Sequence, residues 1–235
     1  MNILKQSIKS LSCLSFMLLF TVSVMAQTHT SGHLVMEIIE AEMEGMANNP
    51  EAAMAMDMLK GSTTSLYFTP EKEMTVMDMM GGMMLTRTLT NINDDKVITF
   101  MDMMGQRFKV DMGSFSEISE EEDSAEIIVD KDSRKEILGF DCYKVTVVAS
   151  EGGVTMSMET YITEDIRTSS SVIQGMQSNV MPGTIMKMTI NAQGVKMVTK
   201  AKSFSPDFDQ SVFNFDQSGY QEMDLETFQR MGMGF

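Results

Sequence analysis

The feature that most restricts this chain is how closely its strand signals follow one another. Short β-branched stretches recur at His33–Glu40, Ser65–Thr69, Lys96–Met101, Asp141–Val148, Val154–Ile162, Thr184–Ile190 and Val195–Lys202. Between them stand turn sequences: Gly81-Gly82, Asn93-Asp94-Asp95, Gly152-Gly153 and Asn191-Ala-Gln-Gly194. A parallel neighbour needs a crossover of a dozen or more residues, and these gaps leave no room for one. Consecutive strands are therefore expected to pair antiparallel as a meander, giving a mainly β (α+β) chain with few helices.

Helical chemistry is confined to two places. Asn49-Pro50-Glu51 reads as a capped start to a helix from Ala52 to Leu59, stopped by Gly61. A weaker candidate covers Thr168–Gln177, ahead of Pro182-Gly183. The acidic run from Glu117 to Glu126 has no apolar partners at helical or strand spacing, so a solvated loop is expected there. After Glu226 the sequence offers no evident anchor, and 227–235 is expected to be a loose Met/Gly tail.

The first residues point to export. Lys5 and Lys9 precede an apolar run from Leu11 to Val24, and Val24-Met25-Ala26 carries small residues where a signal peptidase reads, so cleavage after Ala26 is expected. Cys13 lies inside the apolar run, badly placed for lipid attachment. Residues 27–226 then form one β-rich domain in the periplasm or at the outer membrane, with no transmembrane segment once the leader is gone. The whole chain carries a formal charge of −15, and losing the two leader lysines takes it to −17. Such a surface repels phosphate backbones, so nucleic acid is not an expected partner. Cys142 is the one cysteine after the leader, which excludes an internal disulfide and suggests a small buried apolar residue.

Methionine is the compositional anomaly. Of 29 in the chain, Met1, Met17 and Met25 leave with the leader and 26 remain. The pattern Met-x-Met recurs at 54/56/58, 77/79, 101/103, 156/158, 186/188 and 231/233. On a strand, residues two apart share a face, so Met77/Met79, Met101/Met103, Met156/Met158 and Met186/Met188 each put two thioethers on one side of a sheet. The string Met-Asp-Met-Met-Gly occurs twice, at 77–81 and 101–105. With Met83–Asn91 as the strand between them, the two copies run in the same direction and their methionines form one stripe across three strands. On a Pro50–Leu59 helix, Met54 and Met58 share a face and are expected to meet that stripe.

Three meanings suit this pattern. Methionine is flexible and fills irregular cores in place of leucine. A soft thioether lining also suits an apolar cavity for an acyl chain or hydrophobic peptide. Thioethers select copper(I), for which Met77, Met79, Met83 and Met84 are the best cluster. Against catalysis, the chain has two histidines, His29 and His33, at the start of the mature sequence, and lacks a nucleophile elbow, a His-Glu-x-x-His motif, a Walker loop and paired cysteines. No enzymatic activity and no cofactor are expected.

The run Lys135-Glu-Ile-Leu-Gly-Phe-Asp-Cys-Tyr-Lys-Val-Thr-Val147 resembles the central motif of an exported bacterial family, domain-of-unknown-function family 4412. Two stretches fit it in order: Met158–Ile166 and the closing Phe213–Met223, where the family's proline is missing and Asp216-Gln217 stands in its neighbourhood. In this motif Gly139 serves a tight turn, while Phe140, Cys142 and Tyr143, with Gly219 and Tyr220 at the close, are structural. The family is similar to the periplasmic lipoprotein carrier LolA. That resemblance implies a curved, mostly antiparallel open half-barrel with one or two helices on its concave face. It also suggests a carrier or sensor of a hydrophobic small molecule, lipid or lipidated protein. The family has no defined binding residues; the Met-x-Met pattern of this chain gives Met54, Met58, Met77, Met79, Met101, Met103, Met156, Met158, Met186 and Met188 as the expected lining of the hollow. Copper(I) binding, or an envelope structural or interaction module without a small ligand, are the alternatives.

Overall fold

A computed structural model describes residues 28–46, 49–120, 126–151, 154–168 and 183–230. The expected leader, the centre of the acidic run, the second helix candidate beyond Thr168 and the final Met231–Phe235 lie outside them. The described chain is one curved, open twelve-stranded sheet with three helices. Its strands are β1 (Gly32–Met43), β2 (Thr63–Phe68), β3 (Lys72–Met79), β4 (Met84–Asn91), β5 (Lys96–Met103), β6 (Gln106–Gly113), β7 (Glu126–Ile137), β8 (Phe140–Glu151), β9 (Val154–Thr163), β10 (Thr184–Ala192), β11 (Val195–Ser205) and β12 (Gln221–Met223). The order across the sheet is β12-β6-β5-β4-β3-β2-β1-β11-β10-β9-β8-β7. Two meanders, β1 to β6 and β7 to β11, thus join where β1 pairs with β11. Every neighbouring pair is antiparallel except β12 on β6. The mainly antiparallel β architecture is the one expected from the spacing of the strand signals.

Turn chemistry sets the register. Ile137 faces Phe140 across the β7–β8 hairpin, leaving Leu138 and Gly139 as the two turn residues with φ of +54° and +84°. Two left-handed residues in a two-residue loop match the twist of antiparallel strands. The repeated Met-Asp-Met-Met-Gly string has the same logic in both copies. Its first and third residues lie on one face of a strand, and Met80-Gly81 and Met104-Gly105 turn the chain with positive φ.

Helix α1 (Pro50–Leu59) starts where the sequence indicates. The Asn49 side chain accepts a hydrogen bond from the Ala52 N–H at 3.1 Å, and Gly61 follows with φ +81°. The helix lies against β1 through Ala52. Two expectations need correction. Phe115–Glu120, the start of the acidic region, is helix α2 and not loop. Of the expected 227–235 tail, the described residues 227–230 are not loose: they belong to helix α3 (Leu225–Arg230), which buries Phe228 against Met101 and Val110.

One face of the sheet holds the main core, including Leu34, Met36, Leu66, Val145, Met158 and Met188 in a single buried cluster. In a curved single layer side chains converge on the inner face and splay on the outer one, so this cluster marks the inside. On the opposite face, register aligns His33, Tyr67 and Met74 in one row and Arg87 with Phe100 in another. The chain after β11 crosses that outer face. Phe208 meets Tyr67, and Phe215 and Tyr220 pack edge-on against Phe100. It then adds β12 to the β6 edge and turns Phe228 onto the inner face.

Candidate functional site: a methionine lattice on the inner face

Cross-strand register arranges the inner face of β2 to β6 in rows, because directly paired residues point to the same side. One row reads Thr64, Met77, Thr86, Met101 and Phe108. The next, at the end of the hairpins, reads Met79, Met84, Met103 and Gln106. On the other side lies Leu66, Thr75, Thr88, Thr99 and Val110, in which the Thr88 and Thr99 hydroxyls are 3.1 Å apart. The carboxylates of the repeated string, Asp78 and Asp102, alternate to the outer face, where Asp102 accepts from Arg107 at 3.0 Å. Apart from Phe108 and Gln106 on β6, the inner surface here is thioether, methyl and hydroxyl.

This part of the inner face is neither sealed nor bare. Met77, Met79, Met84, Thr86 and Met103 are half-buried, while Met101 is covered by Phe228 of α3. The patch is therefore bounded by α3 on the β6 side and by the main core on the β1 side. At the hairpin end the Met104 N–H donates to the Met83 carbonyl at 3.3 Å, which ties the β3–β4 and β5–β6 turns together. Met83 and Met104 are exposed there, at 44% and 84%.

The structure sorts the methionines named from sequence into three groups. Met77, Met79, Met101 and Met103 share the lattice, joined by Met84. Met158, Met186 and Met188 are fully buried in the main core and serve packing there, while Met156 is half-buried on β9. Met54 and Met58 do not meet the sheet methionines: they are 68% and 38% exposed, because α1 turns the small Ala52 toward β1. Of the four candidate copper ligands, Met79 and Met84 are directly paired, Met77 lies one row away, and Met83 sits in the turn. The threonines between the methionines were missed. Their signal is the period-two run Met84-x-Thr86-x-Thr88-x-Thr90, which puts one methionine and three hydroxyls on the same side of β4.

The motif residues frame the sheet. Phe140 packs edge-on against Phe204 and His29. Cys142 is buried, and burial with the nearby Asp141 charge pushes its thiol up to about 11, so it stays protonated and unreactive. The Tyr143 hydroxyl donates to Glu164 at 2.7 Å; burial first, then that carboxylate, pushes the phenol up to about 12. Gly219 takes φ +82° just before Tyr220, whose hydroxyl accepts from Arg87. The two histidines face different neighbours: His33 lies flat on Tyr67 at 4.0 Å, and His29 packs against Phe140 and Phe204. A cleft of 480 Å³ opens at the β10–β11 turn, with Glu42, Glu44, Asn191 and Lys196 among its lining. Met43, Ala192 and Val195 share its walls with those charged and amide groups, and none of the lattice methionines lines it.

The fold has a solved counterpart. Part of PNGF-II superposes with a TM-score of 0.50 at 15% identity, over 86% of this chain and 33% of that one. The chain thus spans about a third of PNGF-II, and the likeness is one of fold. Two weaker matches are the lipoprotein LppX of Mycobacterium tuberculosis and LprF of Mycobacterium bovis. Their TM-scores are 0.36 and 0.33, each at 10% identity, over 77% and 78% of this chain and 88% and 89% of theirs. No family model matches the sequence, and no curated relative does. The likeness to family 4412 rests on its motif alone. Among the described residues no helix is long and apolar enough to cross a membrane.

Proposed function

We propose that the chain is an exported, non-enzymatic binding protein that carries or senses an acyl chain, free or on a lipid or lipidated protein, in the cell envelope. The reading rests on one observation: half-buried Met77, Met79, Met84 and Met103 lie side by side on the inner face of a curved sheet, continuous with the apolar core. Burying such a side chain fully is worth about 1.5–3 kcal/mol, so an acyl chain laid along these rows gains affinity without any charged contact. Unbranched thioether side chains adapt to ligands of varied shape, which suits a carrier better than a rigid leucine wall. Thr86 stands between Met77 and Met101, and in the row behind it the Thr88 and Thr99 hydroxyls bind each other.

The test is native mass spectrometry of the protein isolated from its own envelope without detergent, followed by titration with a fluorescent fatty acid. A co-purifying acyl species is expected, together with saturable fluorescence that Met79→Asp and Met84→Asp weaken at least tenfold while the circular dichroism spectrum stays the same. Ligand-free spectra combined with a flat titration end the proposal.

A further inference from the structure

We infer that Met79, Met84 and Met103 together form a binding site for a soft monovalent cation, for which copper(I) is the natural occupant. The three are consecutive in one cross-strand row, on three adjacent strands, with no other residue between them. Directly paired side chains on neighbouring strands start about 4.5–5.5 Å apart at Cβ. The inward curvature of the sheet tilts the outer two toward the central Met84, and each thioether swings on three rotatable bonds, so three sulfurs converge on one ion.

The donor set decides the metal class. Thioethers are soft ligands that select copper(I), whereas calcium, magnesium and manganese require oxygen. The carboxylates nearest in sequence, Asp78 and Asp102, point to the outer face, and Asp102 is bound to Arg107. Three thioethers thus stand together in the row, with the Gln106 amide beyond Met103 as the neighbouring oxygen donor, within a chain whose formal charge of −15 draws cations toward it. Further thioethers stand close behind: Met77 and Met101 occupy the adjacent row, and the linked turns hold Met83 and Met104 at the rim. Those turn residues are exposed and stand between solvent and the half-buried row.

A thioether has no proton to lose, so occupancy here does not compete with protons as it does at cysteine or histidine sites. Copper(I) affinity is therefore expected to be the same at mildly acidic and neutral pH.

The experiment is competition for copper(I) between the purified, lipid-free chain and a chromophoric copper(I) chelator under reducing conditions. The wild-type chain is expected to take one equivalent with pH-independent affinity, and X-ray absorption is expected to show sulfur neighbours. The triple variant Met79→Leu, Met84→Leu, Met103→Leu keeps side-chain volume, so the fold survives, and its copper(I) affinity should fall at least tenfold. Met54→Leu with Met58→Leu, on the exposed helix, should change nothing. Failure of the wild type to compete, equal affinity in the triple variant, or nitrogen and oxygen neighbours at the metal would each overturn the site. None of these outcomes bears on acyl binding, which is measured on metal-free protein.

Discussion

Arg87 reaches across 133 residues of sequence to Tyr220: its guanidinium donates to the tyrosine hydroxyl at 3.3 Å while lying over the ring of Phe215 at 5.3 Å. This contact fastens the chain after β11 to the outer face of β4 and β5, where Tyr220 also meets Phe100 edge-on. Tyr220→Phe removes the hydroxyl and is expected to cost about 0.5–1.5 kcal/mol. Tyr220→Ala removes the ring as well and is expected to cost about 1–3 kcal/mol. Urea midpoints at constant m-value measure both; equal losses would show that the ring contributes nothing beyond its hydroxyl, and no loss in Tyr220→Phe that the hydroxyl contributes nothing.

The Tyr143 hydroxyl and Glu164 give stability a dependence on pH at both ends. The hydrogen bond from Tyr143, then that from Lys131, holds the Glu164 carboxyl below its usual 4.5. Its contribution is present above that value and is lost as pH falls through the lower folded value. Tyr143 is shifted upward, from 10.0 to about 12, so its contribution is complete below 10 and disappears as pH rises toward 12. Tyr143→Phe should flatten both limbs of a stability-against-pH curve, and an unchanged acid limb would mean that Lys131 alone sets Glu164.

Cys142 should behave as an apolar side chain. With its thiol pushed up to about 11 and no exposed surface, it is expected to resist thiol reagents at neutral pH in the folded protein and to react fully in denaturant. A stoichiometric Ellman assay with and without urea reads this directly, and rapid labelling of native protein would contradict the burial.

Methionine oxidation should map the two faces. Among the described methionines, Met104 and Met54, at 84% and 68% exposure, are expected to form sulfoxides first under mild peroxide, followed by Met83. Met36, Met158, Met186 and Met188 are at most 1% exposed and should stay reduced until the protein unfolds. Peptide mass mapping over time gives the order, and early oxidation at Met158 or Met188 would show that the core is open.

Strands β1, β2, β4, β5 and β8 to β11 were readable because each shows alternating or β-branched residues bounded by glycine and asparagine. β7 was not, since seven of its twelve residues are charged and it lies at the edge of the sheet, where few positions are buried. β12 has three residues and exists only because β6 offers it an edge. The lattice was half legible. Period-two spacing put Met77 with Met79 and Met101 with Met103, but pairing Met79 with Met84 needs the length of the intervening turn. Helix α1 was placed correctly by its Asn49 cap, yet spacing alone could not say that Ala52 would face the sheet in preference to Met54 and Met58. Phe228 was invisible as an anchor, because its partners Met101 and Val110 lie more than a hundred residues away.

An unclosed sheet has two flanks, and each is a template on which another molecule's strand can add. Here the chain spends its own last segment on one of them, for β12 occupies the free side of β6. The remaining flank, β7, carries its charges and the irregularity between Asp130 and Arg134 where stacking would begin. Clipping the polypeptide just after β11 would bare the first flank and leave a molecule with one sticky side, so proteolysis in that stretch is expected to make the protein prone to pairing edge to edge.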